Sequence, residues 1–217
     1  TADACLSDKV VADLDDAIRY AMANGNVDPA NIVINGFSGG GYTALGYYLR
    51  GGVQLKAVLA WAPISALEAW YQQSRHAGRD YAGHILRCTE SGDTLDVAAA
   101  RRRSPLHMAM PPLANGKLEL FAGIDDGYDG SVPTLHAVRF YNRVVRQYGM
   151  PENAIDSETA LALLSRTVTP NGGHPPIGGR SVIYRRDDPA ATLTIFTGGH
   201  EMLPAYAAAR IGQLVTP

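Results

Sequence analysis

Residues Gly36-Phe37-Ser38-Gly39-Gly40 fit the pattern G-x-S-x-G. The apolar run "NIVIN" (31–35) leads into it, and a helix-like stretch (41–50) follows. A serine on a sharp strand-to-helix turn projects its hydroxyl above the sheet edge. Small residues two positions before and after relieve the crowding such a turn creates. The start of the following helix offers unpaired N–H groups and positive dipole to a developing oxyanion, with the Gly39 N–H as one donor. A glycine-rich turn that merely contains a serine would read the same in isolation, so the reading depends on partners elsewhere.

A serine hydroxyl needs a base, and the base needs an orienting acid. Where Ser leads, Asp and then His follow along the chain, each past a later strand. Of six histidines, only His200 lies directly past a strong strand, in "TLTIFTGGH" (192–200). His76 and His84 fall in a long interval between strands and His107 at its end. His136 falls in a helix and His174 in a proline-glycine loop. The acid is expected after "KLELFAG" (117–123), where "IDDGYDGSVP" offers Asp125, Asp126 and Asp129. The spacing G-x-x-D from Gly123 selects Asp126. The spacing D-x-x-V-P selects Asp129. Asp126 is preferred because it is nearer the strand end, where the backbone is best fixed.

These loops must be held by a sheet. A helix signal begins at Ser7 and repeats through Val10, Val11, Leu14, Ala17, Ile18 and Ala21, with Gly25 placed to end it. "LKAVLAWAP" (55–63) reads as a second strand, and "SVIYRR" (181–186) as a neighbour of the last. Helices are expected over 133–148 and 204–214. Strands alternating with helices predict an α/β fold, a mostly parallel sheet with flanking helices. Residues 64–116 and 151–180 exceed a simple crossover and read as a lid-like insertion and a loop excursion within a single domain. The insertion holds Trp70, Tyr71 and Tyr81. With Trp61 they form a possible platform for a sugar ring or an aromatic acyl group, or else pack the insertion onto the sheet. His174 and His84 are further candidate substrate contacts.

Composition narrows the classes. A net charge of -2 without a basic stripe excludes a nucleic-acid footprint. The Arg101-Arg102-Arg103 run reads as a solvated face. No run approaches a membrane span. No CxxC or HExxH spacing supports a metal, and no cofactor is expected. The two cysteines, Cys5 and Cys88, either form one bridge in an oxidising, secreted or periplasmic setting or stay free thiols.

"VDPANIVINGFSGGGYTAL", "RSPLHMAMPP", "FAGIDDGYDGSVPTLHAVRFYN" and "FTGGHE" together resemble the α/β-hydrolase superfamily. More narrowly, they resemble its prolyl-oligopeptidase-like and acetyl-xylan-esterase-like branch. The resemblance implies a Ser38–Asp126–His200 triad working through an acyl-enzyme. It also implies strands ahead of the serine turn, carrying the second oxyanion donor. Only one helix precedes "NIVIN" here, so the chain reads as the C-terminal part of the fold. A complementing N-terminal segment or second chain is then the expected partner. The first functional expectation is an esterase acting on a small-molecule or glycan ester. The alternatives are a prolyl-oligopeptidase-type aminopeptidase, with Glu68, Asp80 or Glu90 binding the substrate amine, and a non-catalytic hydrolase-like module with a structural or carbohydrate-binding role.

Overall fold

The computed structural model describes residues 4–216. Five strands form one sheet in the order β1-β2-β3-β5-β4: β1 (Val33–Phe37), β2 (Ala57–Trp61), β3 (Lys117–Gly123), β4 (Val182–Asp187) and β5 (Ala191–Phe196). Four run parallel, and β4 is antiparallel to β5. Helices α1 (Asp8–Asn24), α2 (Gly39–Arg50), α6 (Leu135–Gln147) and α8 (Pro204–Val215) flank it. The segment between β2 and β3 carries α3 (Leu67–His76), α4 (Tyr81–Cys88) and α5 (Val97–Arg102), while α7 (Ser157–Ser165) precedes β4. The order β1-α2-β2, then β3-α6 and β5-α8, is the alternation the sequence predicts.

Strand parity divides the core. Val58, Ala60, Leu118, Leu120, Leu193 and Ile195 pack with α1, α2, α6 and the β2–β3 insertion. Ala57, Leu59, Trp61, Phe121 and Phe196 face the other way, toward Leu203 and Ala207 at α8. Glu119 shares this second face. It is 2% exposed and is gripped by Arg210 of α8, whose Nε donates to both carboxylate oxygens at 3.1 and 3.0 Å. A buried carboxylate is tolerated because this charge is both paired and hydrogen-bonded.

The central strands β2 and β5 are buried at every residue, as a parallel sheet covered on both faces requires. β1 differs: "NIVIN" predicts a buried strand over 31–35, yet the strand runs Val33–Phe37 with only Gly36 buried. It is an edge strand whose sole partner among the described residues is β2, and that exposure follows from its place.

Candidate active site

Ser38 stands where β1 ends and α2 begins, at φ 55° and ψ -115°. A non-glycine residue in this region costs about 1–3 kcal/mol, so the surroundings must hold it there. They do: the Ser38 N–H donates to the Trp61 carbonyl at 2.8 Å, and its carbonyl accepts from Tyr42 N–H at 2.9 Å. Gly36 is sterically required, because a Cβ there would lie 2.3 Å from the Gly40 carbonyl oxygen. The symmetrical requirement expected at Gly40 is absent, since a Cβ on it would meet nothing within 4 Å. The crowding is one-sided: the turn presses the Gly40 carbonyl against residue 36, while the Cβ direction of Gly40 points into open space.

The turns after β3 and β5 bring the other two residues to this point. His200 Nε2 is 2.9 Å from Ser38 Oγ, and His200 Nδ1 is 2.8 Å from Asp126 Oδ2. Asp126 is buried, and its second oxygen accepts the Val132 N–H at 3.0 Å. The carboxylate is therefore committed through both oxygens, one to the imidazole and one to the loop. Asp129 is exposed, and Asp125 pairs with Arg166 at 3.2 Å. Val132, which the D-x-x-V-P spacing links to Asp129, gives its amide to Asp126 instead. Gly130, which the sequence did not single out, lies so close that a Cβ would sit 2.1 Å from Asp126 Oδ1 and 2.6 Å from His200 Cβ. The Phe37 ring packs against the imidazole with centroids 4.8 Å apart. The Gly39 N–H is among the first four of α2, which have no intrahelical acceptor.

A cavity of about 410 Å³ opens beside Ser38. Ser38, Gly39 and Gly40 form one side. Ile64, Leu67, Trp70, Tyr81, His84 and Ile85 of the β2–β3 insertion form another, and Cys5, Leu6 and Val10 complete it. Trp70 and Tyr81 lie with ring centroids 4.8 Å apart. Trp70 Nε1 also donates to the Ser131 carbonyl at 2.8 Å, which ties the insertion to the loop carrying Asp126.

Three expected substrate contacts lie elsewhere. Trp61 is 0% exposed, stacks on Phe121 at 4.0 Å and donates to Asn35 Oδ1. Strand parity turns it toward α8 and away from the cavity. Tyr71 is buried in the core, with the Arg75 guanidinium over its ring, and does not line the cavity, since the next position on α3 is turned about 100° from Trp70. His174 is half-buried in the loop before β4 and lines none of the cavity. His84 does line it.

The carboxylates proposed for amine binding are also absent from the lining. Glu68 joins an internal network, with His107 Nε2 at 2.5 Å and Ser104 Oγ at 3.2 Å. Burial pushes its carboxyl upward, but the bonds to His107 and Ser104 bring it below the ordinary value. Asp80 and Glu90 are exposed. Cys5 and Cys88 are joined as a disulfide. Among the described residues no group of His, Cys, Asp and Glu is arranged to hold a metal, and no helix is long and apolar enough to cross a membrane.

The Pyrococcus horikoshii acylaminoacyl peptidase shares this architecture at TM-score 0.55 and 16% identity, covering 93% of this chain and 25% of its own. A Mycobacterium tuberculosis puromycin-hydrolyzing peptidase matches at TM-score 0.54 and 22% identity, covering 94% and 24%. An acylaminoacyl peptidase bound to a peptidyl chloromethyl ketone matches at 0.52 and 17%, covering 91% and 24%. At such identities the likeness is one of fold, and the chain spans about a quarter of these proteins' length. No curated protein matches the sequence. The model of the prolyl oligopeptidase family matches residues 3–155, well over half of the chain. With its mostly parallel sheet and flanking helices, the chain belongs to the prolyl oligopeptidase family of serine hydrolases, within the α/β-hydrolase superfamily.

Proposed function

We propose that this chain is the catalytic part of a serine peptidase that cleaves after an apolar residue whose own amine is blocked or already in peptide linkage. The observation carrying this is the hydrogen-bonded series Ser38–His200–Asp126 opening onto an apolar cavity without a carboxylate in its lining. Ser38 Oγ attacks the scissile carbonyl carbon while His200 Nε2 takes its proton. Asp126 holds the imidazole in the tautomer that accepts at Nε2 and stabilises the imidazolium. The Gly39 N–H donates to the oxyanion. His200 then returns the proton to the leaving amine, and water repeats the sequence on the acyl-enzyme.

An acyl group seated between Trp70, Tyr81, Ile64 and Leu67 desolvates against apolar surface, whereas a free ammonium there would lack a counter-charge. This favours a peptidase over the glycan esterase first expected from the sequence, and the peptidases among its structural relatives favour it too. The partner belongs to the same reading. A further strand, from a segment N-terminal to this one or from a second chain, pairs with the open edge of β1 and brings the second oxyanion donor. Supplying it raises the acylation rate on the order of 10²–10³-fold.

The test is parallel turnover of N-blocked peptide naphthylamides ending in Phe or Leu, the same compounds with a free amine, and acetylated sugars. Fluorophosphonate labelling accompanies it, with Ser38→Ala as control. We expect Ser38 to label and the blocked apolar peptides to be cleaved fastest. Labelling that survives Ser38→Ala defeats the catalytic assignment. Turnover confined to acetyl esters restores the ester reading.

A further inference from the structure

The cavity beside Ser38 has one wall of which the proposed acyl site uses only Tyr81. Cys5, Leu6 and Val10 come from the start of the described chain and the first turn of α1. Tyr81, His84, Ile85 and Cys88 come from α4. These two groups are far apart in sequence and lean on different neighbours: α1 packs on α2, whereas α4 packs on α3. The Cys5–Cys88 disulfide joins them across 83 residues, with Cα atoms 5.8 Å apart. Both sulfur-bearing residues line the cavity.

The backbone next to the bridge is held in an unfavourable state. Cys5 has φ 27° and Leu6 has φ 51°, in the left-handed region that non-glycine residues seldom occupy. What holds it is visible. Arg103 Nη1 donates to the Ala4 and Cys5 carbonyls at 3.1 and 3.4 Å, and Arg50 Nη1 to the Leu6 carbonyl at 3.3 Å. Leu6 is 2% exposed and seats against Gly46 of α2, where a Cβ would lie 2.2 Å from a Leu6 methyl carbon. The disulfide is the one covalent member of this set and the one that reaches α4. Opening it removes a covalent restraint beside two left-handed residues and between the two halves of the wall.

We propose that the Cys5–Cys88 disulfide is a strap that fixes one wall of the Ser38 cavity and thereby sets its preference for bulky apolar acyl groups; the choice of acyl group rests on the peptidase reading above. Cys5 and Cys88 are positioning residues. They touch no reacting atom and act through the placement of Leu6, Tyr81 and Ile85. A small dithiol opens the strap by passing two electrons and two protons to the sulfurs and closing to its own cyclic disulfide. Small acyl groups, which reach Ser38 without filling the cavity, are indifferent to the wall. Large ones lose apolar contact, worth about tenfold in kcat/KM for a group of one or two carbons.

The experiment compares the native protein, the protein treated with dithiothreitol, and Cys5→Ser/Cys88→Ser. Two readouts are taken: the ratio of kcat/KM for a blocked Phe ester over the acetyl ester, and acrylamide quenching of tryptophan fluorescence. Of the two tryptophans, Trp61 is fully buried, so quenching reports Trp70 in the cavity. We expect reduction to release two titratable thiols, to lower the ratio about tenfold with the acetyl ester changed less than about twofold, and to increase quenching. The double variant should match the reduced protein. Two free thiols with ratio and quenching both unchanged overturn the proposal, and so do free thiols in the untreated protein. If Ser38 fails to label and no substrate turns over, the peptidase reading falls, while quenching alone still decides the strap.

Discussion

The turns that carry Ser38, Asp126 and His200 and the insertion between β2 and β3 meet at one cavity but are built differently. Each of the three turns is one short step from a strand in the middle or at the edge of the sheet. Backbone contacts fix them: Ser38 N–H to the Trp61 carbonyl, Ile124 N–H to the Phe196 carbonyl, and Asp125 N–H to the Gly198 carbonyl. The insertion is held by side chains. Trp70 reaches Ser131, Glu68 reaches Ser104 and His107, and His136 of α6 bridges to Ser65 and Gln73. Backbone anchoring gives a position that tolerates little change. Side-chain anchoring gives one that can be retuned residue by residue, which suits a cavity wall in the substrate-selecting role proposed for it.

The largest effect that would sharpen this contrast lies in the acid loop. Asp126→Asn should lower kcat by about 10³–10⁴-fold by favouring the wrong imidazole tautomer. Asp129→Asn, three residues further along the same loop and exposed, should change it less than about twofold. Steady-state kinetics on one substrate decide it, and comparable losses from both would return the choice to the two spacings. Next comes Gly130→Ala. Its added methyl must displace Asp126 or His200, so we expect about a 100-fold loss in kcat with the circular dichroism spectrum unchanged. On the insertion side the losses should be smaller and selective. Trp70→Ala should cost about 10–100-fold in kcat/KM for bulky apolar substrates and much less for acetyl esters. A uniform loss would mean that Trp70 serves chiefly as the tie to Ser131.

The last prediction concerns stability and leaves the reaction untouched. His136 is fully buried, and its Nδ1 accepts the Ser65 N–H at 3.2 Å, so Nε2–H donates to Gln73 Oε1 at 2.9 Å. Burial, with the nearby Arg139 charge, depresses its pKa to about 3 from the ordinary 6.5. The folded state therefore holds this imidazole neutral where the unfolded chain would protonate it. The sign follows: the stability is fully present above pH 6.5 and falls as pH drops from there toward 3, by about 1.4 kcal/mol per unit. Urea midpoints of the native protein and His136→Gln, measured between pH 7 and 4, should converge as pH falls. Parallel curves would show that the histidine does not titrate between the two states.

Much of this was legible in the chain. β3 occupies the predicted 117–123, and the helices over 133–148 and 204–214 were predicted within two residues of α6 and α8, because long apolar periods bounded by Pro and Gly leave little choice. Less legible was anything that depends on which way a side chain faces once strands pair. Trp61 and Trp70 are both aromatic residues near the end of or beyond β2, yet one is sealed under α8 and the other lines the cavity. Trp61's direction was decided by parity within the sheet, which sequence alone gives only up to a choice of faces.

The sequence by itself determined the order of chemistry along the chain: a serine in a glycine turn, an aspartate past one strand and a histidine past another. Local sterics and strand-forming runs are properties of short segments, so they can be read without knowing the neighbours. Only the tertiary structure decided which of three aspartates meets the imidazole, that Gly130 must leave room for it, and that Cys5 and Cys88 close the cavity wall. Those outcomes depend on distances between residues up to 83 positions apart, and such distances exist only once the sheet has set its strand order.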